Sequence, residues 1–253
     1  MRLFLLFPLC LLAAPPKEIP PDLYDEYTFG KSIPVYEWYI DNSYPSEQPI
    51  VFEVDEVDQL ILKAKNRQEY YYGATDRYLY AMLDKYASFI VGKRIGIIGT
   101  TIPWYESIIL AYGGYPVTIE YNKIISEDPR IQAMTVEEYH RNPQKFDAIL
   151  SISSIEHDGL GRYGDPINPQ GDLETMGKIK EMLNEGGLFF LSVPVGEDSI
   201  YWNAHRVYGR NRLPLLFKGW EMIDSSGYLE SDLSVSGYTA HQPVFVLHQK
   251  HKR

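Results

Sequence analysis

The chain has 253 residues, of which 45% are hydrophobic and 23% charged, a balance that suits one large globular domain with a small extension and excludes a disordered chain. A formal net charge of −10 excludes a broad nucleic-acid surface, because phosphate binding needs clustered lysine and arginine. The single cysteine, Cys10, lies near the N-terminus, so the rest of the chain offers no disulfide, thiol nucleophile or cysteine-ligated metal.

Residues 1–14, within "MRLFLLFPLCLLAAPP", read as a signal-like segment: Arg2, an apolar run from Leu3 to Leu12, then Ala13 and Ala14 at a cleavage point. This pattern predicts entry into the secretory pathway. The run is about half the ~20 residues of a spanning helix, so no stable membrane span is expected unless the leader is kept as an anchor. A mis-assigned start would instead leave the protein in the cytoplasm. Residues 15–74 read as a linker ("PPKEIPP", 15–21) followed by an aromatic, proline-rich strap.

Residues 75–253 read as an α/β domain. "TDRYLYAMLDKYASFI" (75–90) places Leu79, Met82, Leu83, Tyr86 and Ile90 on one helical face, with Thr75 or Asp76 as the cap. Buried strands follow at "RIGIIG" (94–99), "PVTIEY" (116–121), "FDAILSI" (146–152) and "LFFLSVPVG" (188–196), separated by helices at 103–114 and 173–187. "LPLLFKGWEMIDSSGY" reads as a helix and turn, and "PVFVLHQK" (243–250) as a closing strand. Alternation of this kind predicts a parallel sheet covered on both faces, in the order 3-2-1-4-5, with the last strand antiparallel beside the fifth. Ligands then bind beyond the carboxyl ends of the strands.

Gly99 ends the first of these strands and Glu120 ends the second, 21 residues later. That is the spacing at which a carboxylate accepts hydrogen bonds from ribose hydroxyls. The segment after Gly99 is Thr-Thr-Ile-Pro-Trp and lacks the further glycines that cradle a pyrophosphate. The fourth strand runs into "SSIEHDGLGRYGDP" (153–166), where Glu156, His157 and Asp158 are consecutive and Gly159 and Gly161 let the loop turn. Histidine titrates near neutrality, so His157 is expected as general base with Glu156 or Asp158 fixing its tautomer. A divalent metal on some of Glu156, His157, Asp158, Asp165 and His205 lacks a standard ligand spacing. Glu106 suits the helix dipole or the site equally. Arg162, Tyr163, Asn203, His205, Arg206, Tyr208 and Arg210 form a second polar group, suited to a hydroxylated or anionic acceptor.

The order of "RIGIIG", Glu120, "FDAILSISSIEH" and "LNEGGLFFLSVP" resembles a class I S-adenosylmethionine-dependent methyltransferase. More closely, "EYNK", "SSIEHDGLGRYGDPINPQGD" and "NAHRVYGRNRLPLLFKGW" resemble a methyltransferase-like domain-of-unknown-function family abundant in nematodes, over roughly residues 90–225. The resemblance implies a Rossmann-like class I methyltransferase sheet preceded by a helical or irregular extension. It further implies S-adenosylmethionine as cofactor: Gly99 and Thr100 at its methionine part, Glu120 at its ribose, Thr135 and Val136 near its adenine, and Ser153 and Ser154 beside the transferring methyl. Arg162, Tyr163, His205, Arg206 and Tyr208 would hold the acceptor.

The expected function is O-methylation of a small polar acceptor, a sugar hydroxyl of a glycan fitting best. Two alternatives stand beside it. One is an inactive secreted binding protein derived from a methyltransferase. The other is a nicotinamide-dependent sugar oxidoreductase or epimerase, disfavoured by the missing phosphate glycines.

Overall fold

A computed structural model describes residues 14–43, 49–237 and 241–250. The signal-like segment therefore lies outside the described residues except for Ala14. In chain order the elements are α1 (Tyr24–Tyr27), β1 (Val35–Trp38), β2 (Ile50–Phe52), α2 (Val54–Lys65), α3 (Ala74–Lys85), β3 (Arg94–Ile98), α4 (Trp104–Ala111), β4 (Tyr115–Glu120), β5 (Ile124–Ser126), β6 (Gln132–Thr135), α5 (Val136–Arg141), β7 (Phe146–Ile152), α6 (Gly171–Met182), β8 (Leu183–Ser192), β9 (Ser199–Asn203), β10 (His205–Val207), α7 (Arg212–Leu216), β11 (Trp220–Ser226) and β12 (Val244–Gln249).

Seven strands form the central sheet in the order β11-β12-β8-β7-β3-β4-β6. The five strands from β8 to β6 are parallel. β12 enters antiparallel beside β8, as the sequence predicts. Both faces of this sheet are apolar, so consecutive strand residues feed opposite cores. Ile149, Phe189, Leu191 and Phe245 pack with Met176 and Ile179 of α6. Ala148, Leu150, Phe190 and Val246 pack with Leu79 and Leu83 of α3 and Trp104 and Ile108 of α4.

Several boundaries differ from the sequence expectation. α3 starts one residue early at Ala74, with Gly73 at its N-cap and no side-chain cap. Thr75 Oγ1 donates instead to the Gln242 carbonyl at 2.8 Å, and the Asp76 carboxylate accepts from the backbone N–H of Tyr70 and Tyr71 at 2.8 and 3.1 Å. Both side chains thus tie the helix to its neighbours. α6 stops at Met182, not 187, because Leu183 pairs with Phe146 and "NEGG" is drawn into β8. The stretch expected as helix and turn contains only the short α7. Gly219, at φ +77°, redirects the chain into β11, whose Trp220 packs at 5.5 Å on Phe189.

The N-terminal part also carries more structure than a linker. Residues 15–21 are packed down: Tyr39 donates to the Pro15 carbonyl at 2.8 Å and Trp202 Nε1 to that of Pro16 at 3.1 Å. β1 runs parallel to β9, with β10 completing a three-stranded sheet. α2 presents Val57, Leu60, Ile61 and Ala64 as a buried i, i+3, i+4, i+7 stripe. Its first turn carries Asp55 and Glu56 and its last Lys63 and Lys65, the polarity that the helix dipole favours. Among the described residues no helix is long and apolar enough to cross a membrane.

Candidate active site

β3 and β7 are neighbours, and the chain leaves them in opposite lateral directions, which opens a crevice at their carboxyl ends. A cleft of about 640 Å³ occupies it, a size typical of small-molecule sites. Gly99, Thr100, Glu120, Ser153, Ser154, Glu156, His157, Asp158, Arg162, Tyr163 and His205 all line it.

On the β3–β4 side, Gly99 adopts φ +75°, and the space its Cβ would fill is taken by the Ser154 side chain. Its bareness therefore serves the approach of two loops. Thr100 Oγ1 donates to the Ile102 carbonyl at 2.7 Å, fixing the turn into α4. Glu120 ends β4, where its Oε1 accepts from the backbone N–H of Tyr121 at 2.9 Å. Burial pushes its carboxyl up to about 7. Behind it, Glu106 is fully buried, accepts from Thr118 Oγ1 at 2.6 Å, and is likewise pushed by burial to about 7. Glu106 does not line the cleft. Of Thr135 and Val136, only Val136 reaches the cleft, because Thr135 caps α5 in a reciprocal pair with Glu138.

On the β7 side, Ser153 holds φ +53°, an uncommon conformation outside glycine that concentrates at functional sites. Its Oγ donates to Glu156 Oε1 at 2.7 Å and accepts from Gln242 Nε2 at 3.1 Å. Glu156 is 1% exposed, burial pushes its carboxyl up to about 7, and its Oε2 has no hydrogen-bond partner among the described residues. His157 follows in the same 3₁₀ turn. Its Nδ1–H donates to the Ala204 carbonyl at 2.6 Å, leaving Nε2 unprotonated and 3.8 Å from Glu156 Oε1.

The backbone of Ala204, not a carboxylate, thus sets the tautomer, contrary to the sequence expectation. Burial, aided by Arg162, lowers the His157 pKa to about 3, so this imidazole is neutral across the physiological range. Asp158 is pushed by burial to about 7. Asp165 holds the loop by accepting from the backbone N–H of Gly159 and Gly161 at 2.6 and 3.1 Å.

The expected acceptor residues divide. Arg162 stacks over the Tyr163 ring at 4.9 Å and bonds Asn42 Oδ1 at 3.1 Å. His205 stacks on Tyr201 at 5.1 Å and is lowered by burial to about 4. Arg206 and Tyr208 are wholly buried and do not line the cleft, which corrects their assignment to acceptor binding. Arg206 donates to the carbonyl of Asp158 at 2.6 Å, and Tyr208 to Asp172 Oδ2 at 2.9 Å. Asp172 also accepts from Arg212 Nε and Nη2 at 2.8 and 2.5 Å. Burial alone would raise its pKa, but Arg206 and Arg212 hold it below the usual carboxylate range. These residues are the frame of the loop.

The cleft also recruits Tyr121 of "EYNK" and, outside every motif, Trp38, Ile40, Tyr71, Tyr72 and Gln242. For Trp38 and Ile40 the one local signal was the alternation in "VYEWYI" (35–40). No group of His, Cys, Asp and Glu among the described residues is arranged to hold a metal ion.

The PH0226 protein from Pyrococcus horikoshii OT3 shares the fold, with a TM-score of 0.50 at 12% identity over 74% of this chain and 95% of that one. A Burkholderia thailandensis 1,6-didemethyltoxoflavin-N1-methyltransferase aligns at TM-score 0.47 and 12% identity over 85% and 100% of the two chains. The glycopeptide N-methyltransferase MtfA aligns at 0.47 and 11% over 67% and 89%. The architecture is a Rossmann-like, mostly parallel α/β sheet with the antiparallel last strand, β12, beside β8. No curated protein matches the sequence. The family model described as "Caenorhabditis protein of unknown function, DUF268" matches residues 92–251, more than half of the chain.

Proposed function

The chain belongs to that family, and from its cleft we propose that it is an S-adenosylmethionine-dependent methyltransferase acting on a hydroxyl of a small polar acceptor, such as a sugar unit of a glycan. The observation that carries the reading is the pairing of Gly99 and Glu120 at adjacent strand ends on one cleft. Glu120 is a buried carboxylate that accepts, among the described residues, only from the backbone N–H groups of Tyr121 and Asn122, and burial destabilises its charge. Two neighbouring ribose hydroxyls are the donors that such a group lacks, so the donor set fits the cofactor. Gly99 and Thr100 would hold the methionine part, Val136 the adenine side and Ser153 and Ser154 the wall between cofactor and acceptor.

S-adenosylmethionine supplies an electrophilic methyl group on a sulfonium. The chain's own residues then have to bring a hydroxyl to it and remove one proton. His157, neutral and with Nε2 unprotonated, accepts a hydrogen bond from a neighbouring, non-reacting hydroxyl of the acceptor and so orients it, leaving the proton of the reacting hydroxyl to another group. Its pKa of about 3 makes it a poor proton acceptor. Glu156, poised near 7 beside Nε2, is the better match for general-base work at neutral pH. Arg162 and Tyr163 line the acceptor side, and alignment in the cleft supplies the remaining rate.

Calorimetric titration of the purified chain with S-adenosylhomocysteine and with NAD tests the reading. Binding of the first is expected; binding of NAD alone would replace it with the oxidoreductase alternative.

A further inference from the structure

The strap and the cleft share one aromatic surface. Tyr36 and Trp38 alternate along β1, so their side chains stand on one face, about 7 Å apart along the strand. Both rings are well exposed, at 43% and 40%. Tyr36 stacks on Tyr201 with centroids 4.9 Å apart and planes 25° apart. Tyr201 stacks on His205 at 5.1 Å and 20°. Trp38 stands edge-on to both, at 6.0 Å from Tyr201 and 5.4 Å from His205. Trp38 and His205 line the cleft. Tyr36 lines a second hollow of about 690 Å³, whose rim carries Lys17, Glu18, Asp25, Lys31 and Glu37.

We infer that the strap is a saccharide platform: a glycan acceptor with its reacting unit in the cleft lays its further units across Trp38 and Tyr36 into the second hollow. The inference rests on the proposed sugar acceptor and extends it from one unit to a chain. Three features of the surface select this occupant. Rings already stacked on other rings are rigid, so little side-chain entropy is lost when a ligand lies on them. A pyranose presents a flat face of C–H groups to the negative face of an aromatic ring, and its hydroxyls point to the edges. Around Tyr36 the hollow offers both ammonium donors (Lys17, Lys31) and carboxylate acceptors (Glu18, Asp25, Glu37), which suits hydroxyls of either sense.

The same rim argues against a lipid surface, since charges interrupt the apolar area. Carboxylates of Glu120, Glu156, Asp158 and Asp165 in the adjoining cleft oppose a phosphate backbone.

The test titrates the full chain with linear glucose, N-acetylglucosamine and galactose oligomers of one and four units, with and without S-adenosylhomocysteine. In at least one series the four-unit oligomer is expected to bind at least tenfold more tightly than its monomer. Tyr36→Ala and Trp38→Ala should each abolish that advantage, whereas Tyr36→Phe, which keeps the ring, should retain it. Equal affinity for one and four units in every series, an advantage untouched by both alanine variants, or binding of an unglycosylated tetrapeptide in place of all saccharides would overturn the platform. S-adenosylhomocysteine binding without an oligomer advantage refutes the platform alone. An oligomer advantage without S-adenosylhomocysteine binding refutes only the methyltransferase reading.

Discussion

Gly99 and Ser154 lie against each other across the floor of the cleft, so closely that a Cβ on Gly99 would overlap the Ser154 side chain. The contact joins the end of β3 to the turn after β7, the two elements that bound the switch in strand order. Gly99→Ala should therefore damage the site twice, through the clash and through the left-handed φ of +75°. The added variant Ser154→Gly removes the clash and leaves only the backbone strain, on the order of 1 kcal/mol. Thermal melts of both single variants and the double are expected to show the double more stable than Gly99→Ala. Equal melting of those two would refute the contact as the cause.

Glu120 sets a pH dependence on ligand binding. In the free protein burial pushes its carboxyl up to about 7, and hydroxyl donors bind its charged form more strongly than its neutral one. Affinity for S-adenosylhomocysteine should be full above pH 7 and fall below it, by at most tenfold per unit. Glu120→Ala should cost about 1.5–3 kcal/mol of affinity at pH 8, the range for hydrogen bonds to a charged group. Glu120→Gln should flatten the pH profile. Titrations between pH 5.5 and 8.5 decide this, and a profile unchanged in Glu120→Gln removes Glu120 from the site.

In the proposed reaction Glu156 rather than His157 is the base, because burial leaves the carboxyl at about 7 and the imidazole at about 3. Glu156→Gln is isosteric and should lower kcat by about 10²-fold or more, the lower range for loss of a general base. It should also erase the rise of kcat through pH 7. His157→Ala should chiefly raise KM for the acceptor, since its role is orientation. Rate profiles with the acceptor found by titration measure both. A retained pH rise in Glu156→Gln would return the base to His157 or another group.

Glu106 makes folding itself sensitive to pH. Its folded pKa of about 7 lies above the unfolded value of 4.5, so the native state holds a proton that the unfolded chain has released between those values. Its contribution to stability is complete below pH 4.5 and is lost as pH rises through about 7. Glu106→Gln, neutral at every pH, should raise stability at pH 8 by about 1–3 kcal/mol relative to its effect at pH 5. Denaturant unfolding at the two pH values tests the sign, and equal effects at both would count against a protonated Glu106.

Asp172 holds the frame beneath the signature loop. Asp172→Asn leaves Arg212, itself 3% exposed at the side chain, without its charged partner. Breaking a buried pair from one side typically costs about 3–5 kcal/mol. Unfolding should shift by that amount, and a loss below 1 kcal/mol would mean that Arg206 and Arg212 find other partners.

The central fold was legible because its signals are local. Apolar runs at 94–99, 116–121 and 146–152 carry their own strand preference. Gly99 and Glu120 mark strand ends by position, and Pro243 with Gly237 preceding it made a long crossover into β12 implausible. β11 and β6 were missed for the complementary reason: "WEMIDSS" is largely polar and little buried, "QAMT" is short, and only pairing with β12 and β4 makes them strands. The site's chemistry was decided at longer range still. Arg162 and Arg206 look alike in sequence, yet one lines the cleft and the other is sealed beneath carbonyls about 50 residues away. His157 became a weak base because the surrounding core removes it from water and Arg162 stands nearby, which outweighs the opposing hydrogen bond to the Ala204 carbonyl. Trp38 reached the cleft because β1 pairs with β9, some 165 residues further along. Strand preference depends on a residue's immediate neighbours, whereas burial and the proton affinity it sets depend on which distant segments exclude water.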